Sequence, residues 1–166
     1  MRTMAMIFEE KWRNLRPYVC GFVMDPDTGR VMLIRKKRPD WQAGLLNGVG
    51  GKIEEGETPL NAMSREFFEE AGKLIHDRAW NNFCLLACPR HKGLIYFFRA
   101  THSLAGCGAM TDEPLVPLVG LGDLTRDDVV PNLRWLIPMA FAEDYADQEP
   151  VLFVDRLAAG PTRNEG

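Results

Sequence analysis

The segment from Thr58 to Gly72 constrains this chain more than any other, because both of its ends and the pattern between them are written in residue types. Thr58 followed by Pro59 is a helix start, the hydroxyl placed as N-cap and the proline at the first helical position, and Gly72 supplies a stop. With about 100° of turn per residue and Phe67 set at zero, Leu60, Met63 and Ala71 fall within roughly 40° of it and make one apolar stripe. Glu70, Glu66 and Glu69 then fall near about −60°, −100° and −160°, a contiguous carboxylate band beside that stripe.

Residues 54 to 70 carry six glutamates, at 54, 55, 57, 66, 69 and 70, against Arg65 alone, a local charge of −5. Like charges spaced i, i+3 and i+4 repel and weaken a bare helix. Three of them side by side are either solvated or hold a cation. Clustered hard oxygen donors suit Mg²⁺ or Mn²⁺, which keep several waters and are shared between a few carboxylates and the phosphates of a substrate. Just upstream, Gly44 to Gly51 reads as loop with little room for helix, and the bare backbone at Gly48-Val49-Gly50-Gly51 can approach the same ion or a phosphate.

The remaining elements place that helix in a sheet. Tyr18 to Met24 and Arg30 to Ile34 are apolar runs across the turn chemistry of Asp25-Pro26-Asp27-Thr28-Gly29 and predict a β-hairpin. Phe83 to Ala87 and Leu94 to Arg99 form a second pair across Pro89 to Gly93, with further strands expected at Leu115 to Val119 and Val151 to Val154. Asn132 to Ala142 has helical spacing at Leu133, Ile137 and Phe141, with Pro131 near its start and Pro138 as a kink site. Strands mixed with two helices and no internal repeat predict one α/β or α+β domain, expected over 1–157, with 158–166 as a flexible C-terminal tail.

Charge and composition exclude several partners. Twenty basic against twenty-three acidic side chains leave −3, so no overall positive field exists to hold duplex nucleic acid. Apolar runs such as Leu115 to Leu121 fall far short of the roughly 20 residues that cross a bilayer, and Pro117 and Gly120 break that one. Glu9, Glu10 and Lys11 interrupt the opening stretch where a secretory signal would be apolar, so the expected address is cytoplasmic. Cys20, Cys84, Cys88 and Cys107 form no CxxC pair and read as reduced thiols in or near a core. Gly51-Lys52-Ile53 lacks the hydroxyl residue of a P-loop, the dinucleotide fingerprint is incomplete, and neither Ser64 nor Ser103 sits in a nucleophile elbow. His76, His91 and His102 read as surface or hydrogen-bonded residues.

Gly51, Glu57, Arg65-Glu66, Phe67, Glu69-Glu70 and Gly72 resemble the Nudix signature G-x5-E-x7-R-E-U-x-E-E-x-G-U, where U is bulky and apolar. The chain departs from it at the last position, where Lys73 stands and the apolar residue comes one later, at Leu74. The resemblance implies an α/β/α sandwich around a mixed sheet and Mg²⁺-dependent hydrolysis (Mn²⁺ as alternative) of a nucleoside diphosphate linked to another group. By position it implies that Glu66, Glu69 and Glu70 bind the metal with the main-chain carbonyl of Gly50, and that one glutamate, Glu66 in the first instance, acts on the attacking water. It implies too that Glu57 holds Arg65, bracing the loop against the helix, and that Lys52 faces the phosphates; an ordinary loop lysine would simply be solvated.

Leu46-Asn47-Gly48-Val49-Gly50-Gly51-Lys52 is similar to the segment preceding the signature in Nudix enzymes that sanitise oxidised purine nucleoside triphosphates. There Asn47 would read a base, since an amide donates and accepts at once; alternatively it makes a turn. Trp41 stacks on a base or covers the core. Pro131-Asn132-Leu133-Arg134-Trp135 lacks the acidic pair of that subgroup, leaving Asn132 as the candidate base contact. Lys37 and Arg38 lie near phosphates or form a solvated strand end. The leading expectation is a nucleoside triphosphate pyrophosphohydrolase giving a mononucleotide and pyrophosphate. The alternatives are a hydrolase of nucleotide sugars or dinucleoside polyphosphates and a non-catalytic nucleotide-binding module, in each case as monomer or homodimer with a small nucleotide as partner.

Overall fold

The computed structural model describes residues 12–118, 120–142 and 148–155. The expected tail at 158–166 and the opening stretch 1–11 lie outside the described residues. The strands are β1 (Arg16–Met24), β2 (Val31–Arg35), β3 (Leu46–Asn47), β4 (Asn81–Cys88), β5 (Gly93–Thr101), β6 (Leu115–Leu118) and β7 (Val151–Val154), with helices α1 (Pro59–Ala71) and α2 (Leu133–Phe141). Seven strands make one mixed sheet in the order β3-β2-β1-β5-β4-β7, and β6 also pairs with β2.

β1 runs parallel to β5 along its whole length, from Arg16 opposite Gly93 to Met24 opposite Thr101, whereas its hairpin with β2 is held only at Val23 and Met24. The freed half of β1 accepts another partner. Val49 pairs with Gly21 and Lys52 with Tyr18, through Gly21 N–H to Val49 O at 2.7 Å and Val19 N–H to Gly51 O at 2.9 Å. The glycine-rich stretch expected as loop is therefore laid along a strand, with β3 at its head. Edge pairing satisfies backbone groups that a loop would leave to water, and it fixes where residues 49–52 stand.

Alternation along β1 sorts side chains onto two faces. Val19 and Val23 point into a core with Met32, Ile34, Phe98 and the α1 residues Met63, Phe67 and Ala71. Cys20 and Phe22 point the other way, among Leu33, Phe83, Phe97 and the α2 residues Leu133, Leu136, Ile137 and Ala140. The sheet is thus the middle layer of an α/β/α sandwich. Phe67 is fully buried and meets Trp80 edge-on at 5.6 Å, a burial that stabilises the fold by about 1.5–3 kcal/mol. Cys20, Cys84 and Cys88 are buried free thiols and Cys107 is half-buried. α2 runs through Pro138 to Phe141.

One detail differs from the sequence-based expectation. Leu74, the first apolar residue after Gly72, is 55% exposed, and Ile75 takes the buried place against α1. A left-handed Gly72 turns the chain sharply, so the side chain that returns to the core comes two residues after Lys73. No helix among the described residues is long and apolar enough to cross a membrane.

Candidate functional site

α1 begins and ends on the residues that announce it. The Thr58 hydroxyl accepts the Asn61 N–H at 3.2 Å, Pro59 occupies the first turn, and Gly72 at φ +69° donates its N–H to Phe68 O. With both ends fixed and the apolar stripe seated on the sheet, the carboxylate band is turned toward residues 49–52. Bare backbone makes that approach feasible: a Cβ on Gly50 would stand 2.2 Å from Val19 O, and one on Gly51 would stand 2.5 Å from Glu66 Oε1. Side chains at either position would push the segment off the strand or off the helix.

Glu70 is the deepest member, its side chain 12% exposed, and its Oε2 accepts the Gly50 N–H at 3.0 Å. Glu66, 14% exposed, lies over Gly51 and takes Arg65 Nη1 at 2.9 Å. Glu69 is 55% exposed and also meets Arg65 Nη1, at 3.1 Å. Arg65 itself forks onto Glu57, Nε to Oε1 and Nη2 to Oε2 both at 2.9 Å, and Nη2 reaches Lys52 O at 3.0 Å. Arg65 thus joins Glu57 and the Lys52 carbonyl to the helix. Among the described residues no three His, Cys, Asp or Glu side chains stand grouped as a closed cation cage. The helix instead offers two largely buried carboxylates and an outer third, which suits a cation completed by waters and phosphates.

Burial drives the electrostatics. It pushes Glu70 up to about 7, against the lowering effect of Lys36 and the Gly50 N–H and with Glu66 and Glu113 adding to the rise. Burial likewise raises Glu66, partly offset by Arg65. Glu57 moves the other way, held below the usual carboxylate range by its hydrogen bonds to Arg65. A buried carboxylate short of positive charge is the donor chemistry that a divalent cation completes.

Two functional-site neighbours are not apparent from the sequence. Lys36 Nζ lies 2.6 Å from Glu113 Oε2 and 3.6 Å from Glu70 Oε1, bridging the end of β2 and the segment before β6 to the helix. Glu113 also accepts the Lys37 N–H at 2.6 Å. The signal available was the basic run 35–38 set against Asp112-Glu113, but only the antiparallel pairing of β2 with β6 brings them together. Lys37, considered for the phosphates, pairs with Asp112 at 3.2 Å on the surface.

The candidate base-reading residues occupy a second neighbourhood. Leu46 N–H bonds Asp128 O and Val130 N–H bonds Leu46 O, setting the approach to α2 beside Asn47. Asn47 donates to Gln42 Oε1 at 3.0 Å and accepts the Gly48 N–H at 2.8 Å. Asn132 Oδ1 is buried without a donor. Trp41 covers no core: it is 63% exposed and stacks on His91 with ring centroids 6.1 Å apart. Its short 3₁₀ turn at Asp40–Gln42 has no buried residue, so the ring is held out over the surface. Lys52 is exposed.

The sequence profile of the NUDIX domain matches residues 14–113, a span that holds the strand, the glycine-lined segment and the glutamate helix together. The chain belongs to the Nudix family. Over 147 residues this Nudix chain is 46% identical to the oxidized purine nucleoside triphosphate hydrolase of Mus musculus, covering 82% of this chain and 91% of the mouse protein. Among solved structures, the NUDIX domain of Shewanella oneidensis NrtR, complexed with ADP ribose, superposes with a TM-score of 0.65 at 16% identity, covering 84% of this chain and 97% of that one. The MutT protein of Bacillus halodurans gives 0.59 at 18% identity, covering 84% and 88%. Those two likenesses establish the fold. Nudix hydrolases as a family work with a divalent metal.

Proposed function

We propose that this chain hydrolyses a purine nucleoside triphosphate between its α and β phosphates, giving a mononucleotide and pyrophosphate, with Mg²⁺ held at Glu66, Glu69, Glu70 and the Gly50 carbonyl. The observation that carries the reading is the meeting of Glu66 and Glu70, both largely buried, with the unencumbered backbone of Gly50 and Gly51. Identity to the mouse hydrolase along most of both chains supports the substrate class. Where Mn²⁺ replaces Mg²⁺, the same hard donors serve.

Each side chain has a task that follows from its position. A bound divalent cation supplies charge to offset the phosphates and lowers the pKa of a coordinated water. Glu70, whose pKa burial raises to about 7, would be held ionised by a bound cation, its proton passing to solvent. Glu66 lies beside Arg65, which keeps one of its oxygens occupied and leaves the other for a water or its proton. Arg65, locked by Glu57, ties Lys52 O to the helix and so keeps the segment 50–52 from drifting. The exposed ammonium of Lys52 meets the polyphosphate. Asn47 and Asn132 read the base edge, and Trp41 offers a stacking face.

A panel of nucleoside triphosphates, nucleotide sugars and dinucleoside polyphosphates with Mg²⁺, resolved into phosphate, pyrophosphate and mononucleotide products, tests this. Pyrophosphate with a mononucleotide is the expected outcome. Sugar phosphate or mononucleotide release from the other classes, with the triphosphates untouched, would overturn it.

A further inference from the structure

Lys73 makes contacts that the site as described does not use. Its Nζ donates to Ser103 O at 2.5 Å and to Ala105 O at 2.8 Å, clamping the turn that follows β5 onto the end of α1. From that clamp the chain continues as a strap across the helix terminus. Gly108 N–H bonds Ala71 O at 3.0 Å and Met110 N–H bonds Glu70 O at 3.1 Å, satisfying carbonyls that a helix end leaves open. Met110 also closes over Gly72, where a Cβ would meet its Sδ at 2.9 Å. Three residues on, the strap delivers Glu113 to Lys36 Nζ and to the Lys37 N–H.

We infer that Lys73 is a positioning residue for the carboxylate site, acting through the 103–113 strap and the Lys36–Glu113 pair on Glu70; this rests on the metal-dependent reading above. The strap holds Glu113 at 2.6 Å from Lys36 and thereby keeps the ammonium 3.6 Å from Glu70 Oε1, an ion pair longer than a hydrogen bond. Release of the strap frees Lys36 to close on Glu70. A cation must then displace an ammonium held more tightly on Glu70 than it now is, so metal affinity falls while the substrate contacts stay as they were. Linkage makes the effect reciprocal: whatever factor the pinned strap adds to cation affinity, the cation adds to strap closure.

Cys107 provides a native reporter. It is the half-buried thiol of the four, it lies on the strap, and its neighbours are the core residues under α1, whereas Cys20, Cys84 and Cys88 are buried in the sheet. Alkylation of the metal-free protein, located by peptide mass spectrometry, is the first measurement. Because the Lys73 ammonium also lowers the Cys107 thiol's pKa, rates are compared per thiolate, from the pH profile of each protein. On that scale Lys73→Met should speed Cys107 labelling by about tenfold, the factor corresponding to about 1.4 kcal/mol, with labelling of the three core thiols unchanged. Lys73→Arg, which can donate to the same carbonyls, should restore the slow rate. In the nucleotide assay Lys73→Met should raise the Mg²⁺ concentration for half-maximal rate severalfold while leaving kcat and the nucleotide KM at saturating Mg²⁺ as in the wild type. If the variant does not fold, the wild-type protein suffices: saturating Mg²⁺ should slow Cys107 labelling, by linkage.

Unchanged labelling of Cys107 per thiolate in Lys73→Met overturns the clamp. Faster labelling without a shift in Mg²⁺ dependence, or wild-type labelling indifferent to Mg²⁺, overturns its connection to the site. Absence of any Mg²⁺-dependent hydrolysis by the wild type would refute the proposed function instead, and the labelling of the metal-free protein would still report on the clamp.

Discussion

Two cations sit beside the glutamates of α1, and they treat them differently. Arg65 forks onto Glu57, touches Glu66 and Glu69 with its remaining nitrogen, and borrows a carbonyl from Lys52. Lys36 is shared between two buried carboxylates at unequal distances, 2.6 Å to Glu113 and 3.6 Å to Glu70. A planar guanidinium saturates its partner, and Glu57 is held low. A single ammonium satisfies the nearer carboxylate and leaves the farther one wanting. Burial opposes ionisation at Glu113, yet its hydrogen bonds to Lys36 and to backbone N–H groups prevail and keep it low, whereas Glu70 rises to about 7. One network is therefore a brace, and the other holds the charge deficit that a metal can fill.

The sharpest way to break this contrast is at Glu70. Glu70→Gln keeps an acceptor for the Gly50 N–H and removes the charge, so hydrolysis should fall by about two to three orders of magnitude, the several kcal/mol that metal-held charge contributes at a transition state. Thermal stability without metal should hold or rise, because a buried carboxylate has been made neutral. Turnover close to wild type in a steady-state assay would refute the role given to Glu70. Next in size is Lys36→Met, which strands Glu113 and Glu70 together. Urea unfolding should show a loss of about 2–3 kcal/mol, somewhat below the cost of breaking a fully buried pair. A loss under about 0.5 kcal/mol, the scale of an ordinary surface substitution, would mean that Lys36 is a surface charge after all.

Arg65→Lys probes the brace. Lysine keeps the charge and loses the fork, so Glu57 and Lys52 O cannot both be held. Residues that orient metal ligands typically cost 10–100-fold when altered, and a partly exposed brace belongs near the lower end, about tenfold in Mg²⁺ affinity. Isothermal titration of Mg²⁺ into the variant checks it. An unchanged affinity would show that strand pairing of residues 49–52 with β1 positions the loop unaided.

The two networks also differ in how far the sequence announces them. Arg65 and its carboxylates lie within one to eight residues of each other, so helical geometry and the family pattern suffice to bring them together. The limits of α1 and the four long strands are legible for the same reason: caps, turns and alternation are local signals. Lys36 meets Glu113 across 77 residues, and that meeting is decided by the register of β2 on β6, which no local pattern encodes. Glycines at 48, 50 and 51 have the composition of a loop because the strand they pair with is thirty residues upstream. Trp41 is legible as an important aromatic, though its exposed stack on His91 depends on a turn between β4 and β5 that lies far along the chain.

A pH dependence separates the networks without mutation. In chelator, Glu70 binds its proton more tightly in the folded protein than in the unfolded chain, with about 7 against an ordinary 4.5. Between those values the native state holds more protons than the unfolded state, so stability falls as pH rises through the window. The value of about 7 already contains the opposing effect of Lys36, so the shift corresponds to at most about 3 kcal/mol, lost from pH 4.5 to 7. Glu57 and Glu113 have the opposite sign: their low folded values give stability that is present above the unfolded pKa and lost only as acid protonates them below it. Proton and metal compete for Glu70, so saturating Mg²⁺ should flatten or invert the neutral-pH slope while leaving the acid limb in place. Urea midpoints at pH 3, 4, 5, 6, 7 and 8 with and without Mg²⁺ resolve the two limbs. A neutral slope that ignores the metal would detach Glu70 from the cation and return the carboxylate band to the solvent.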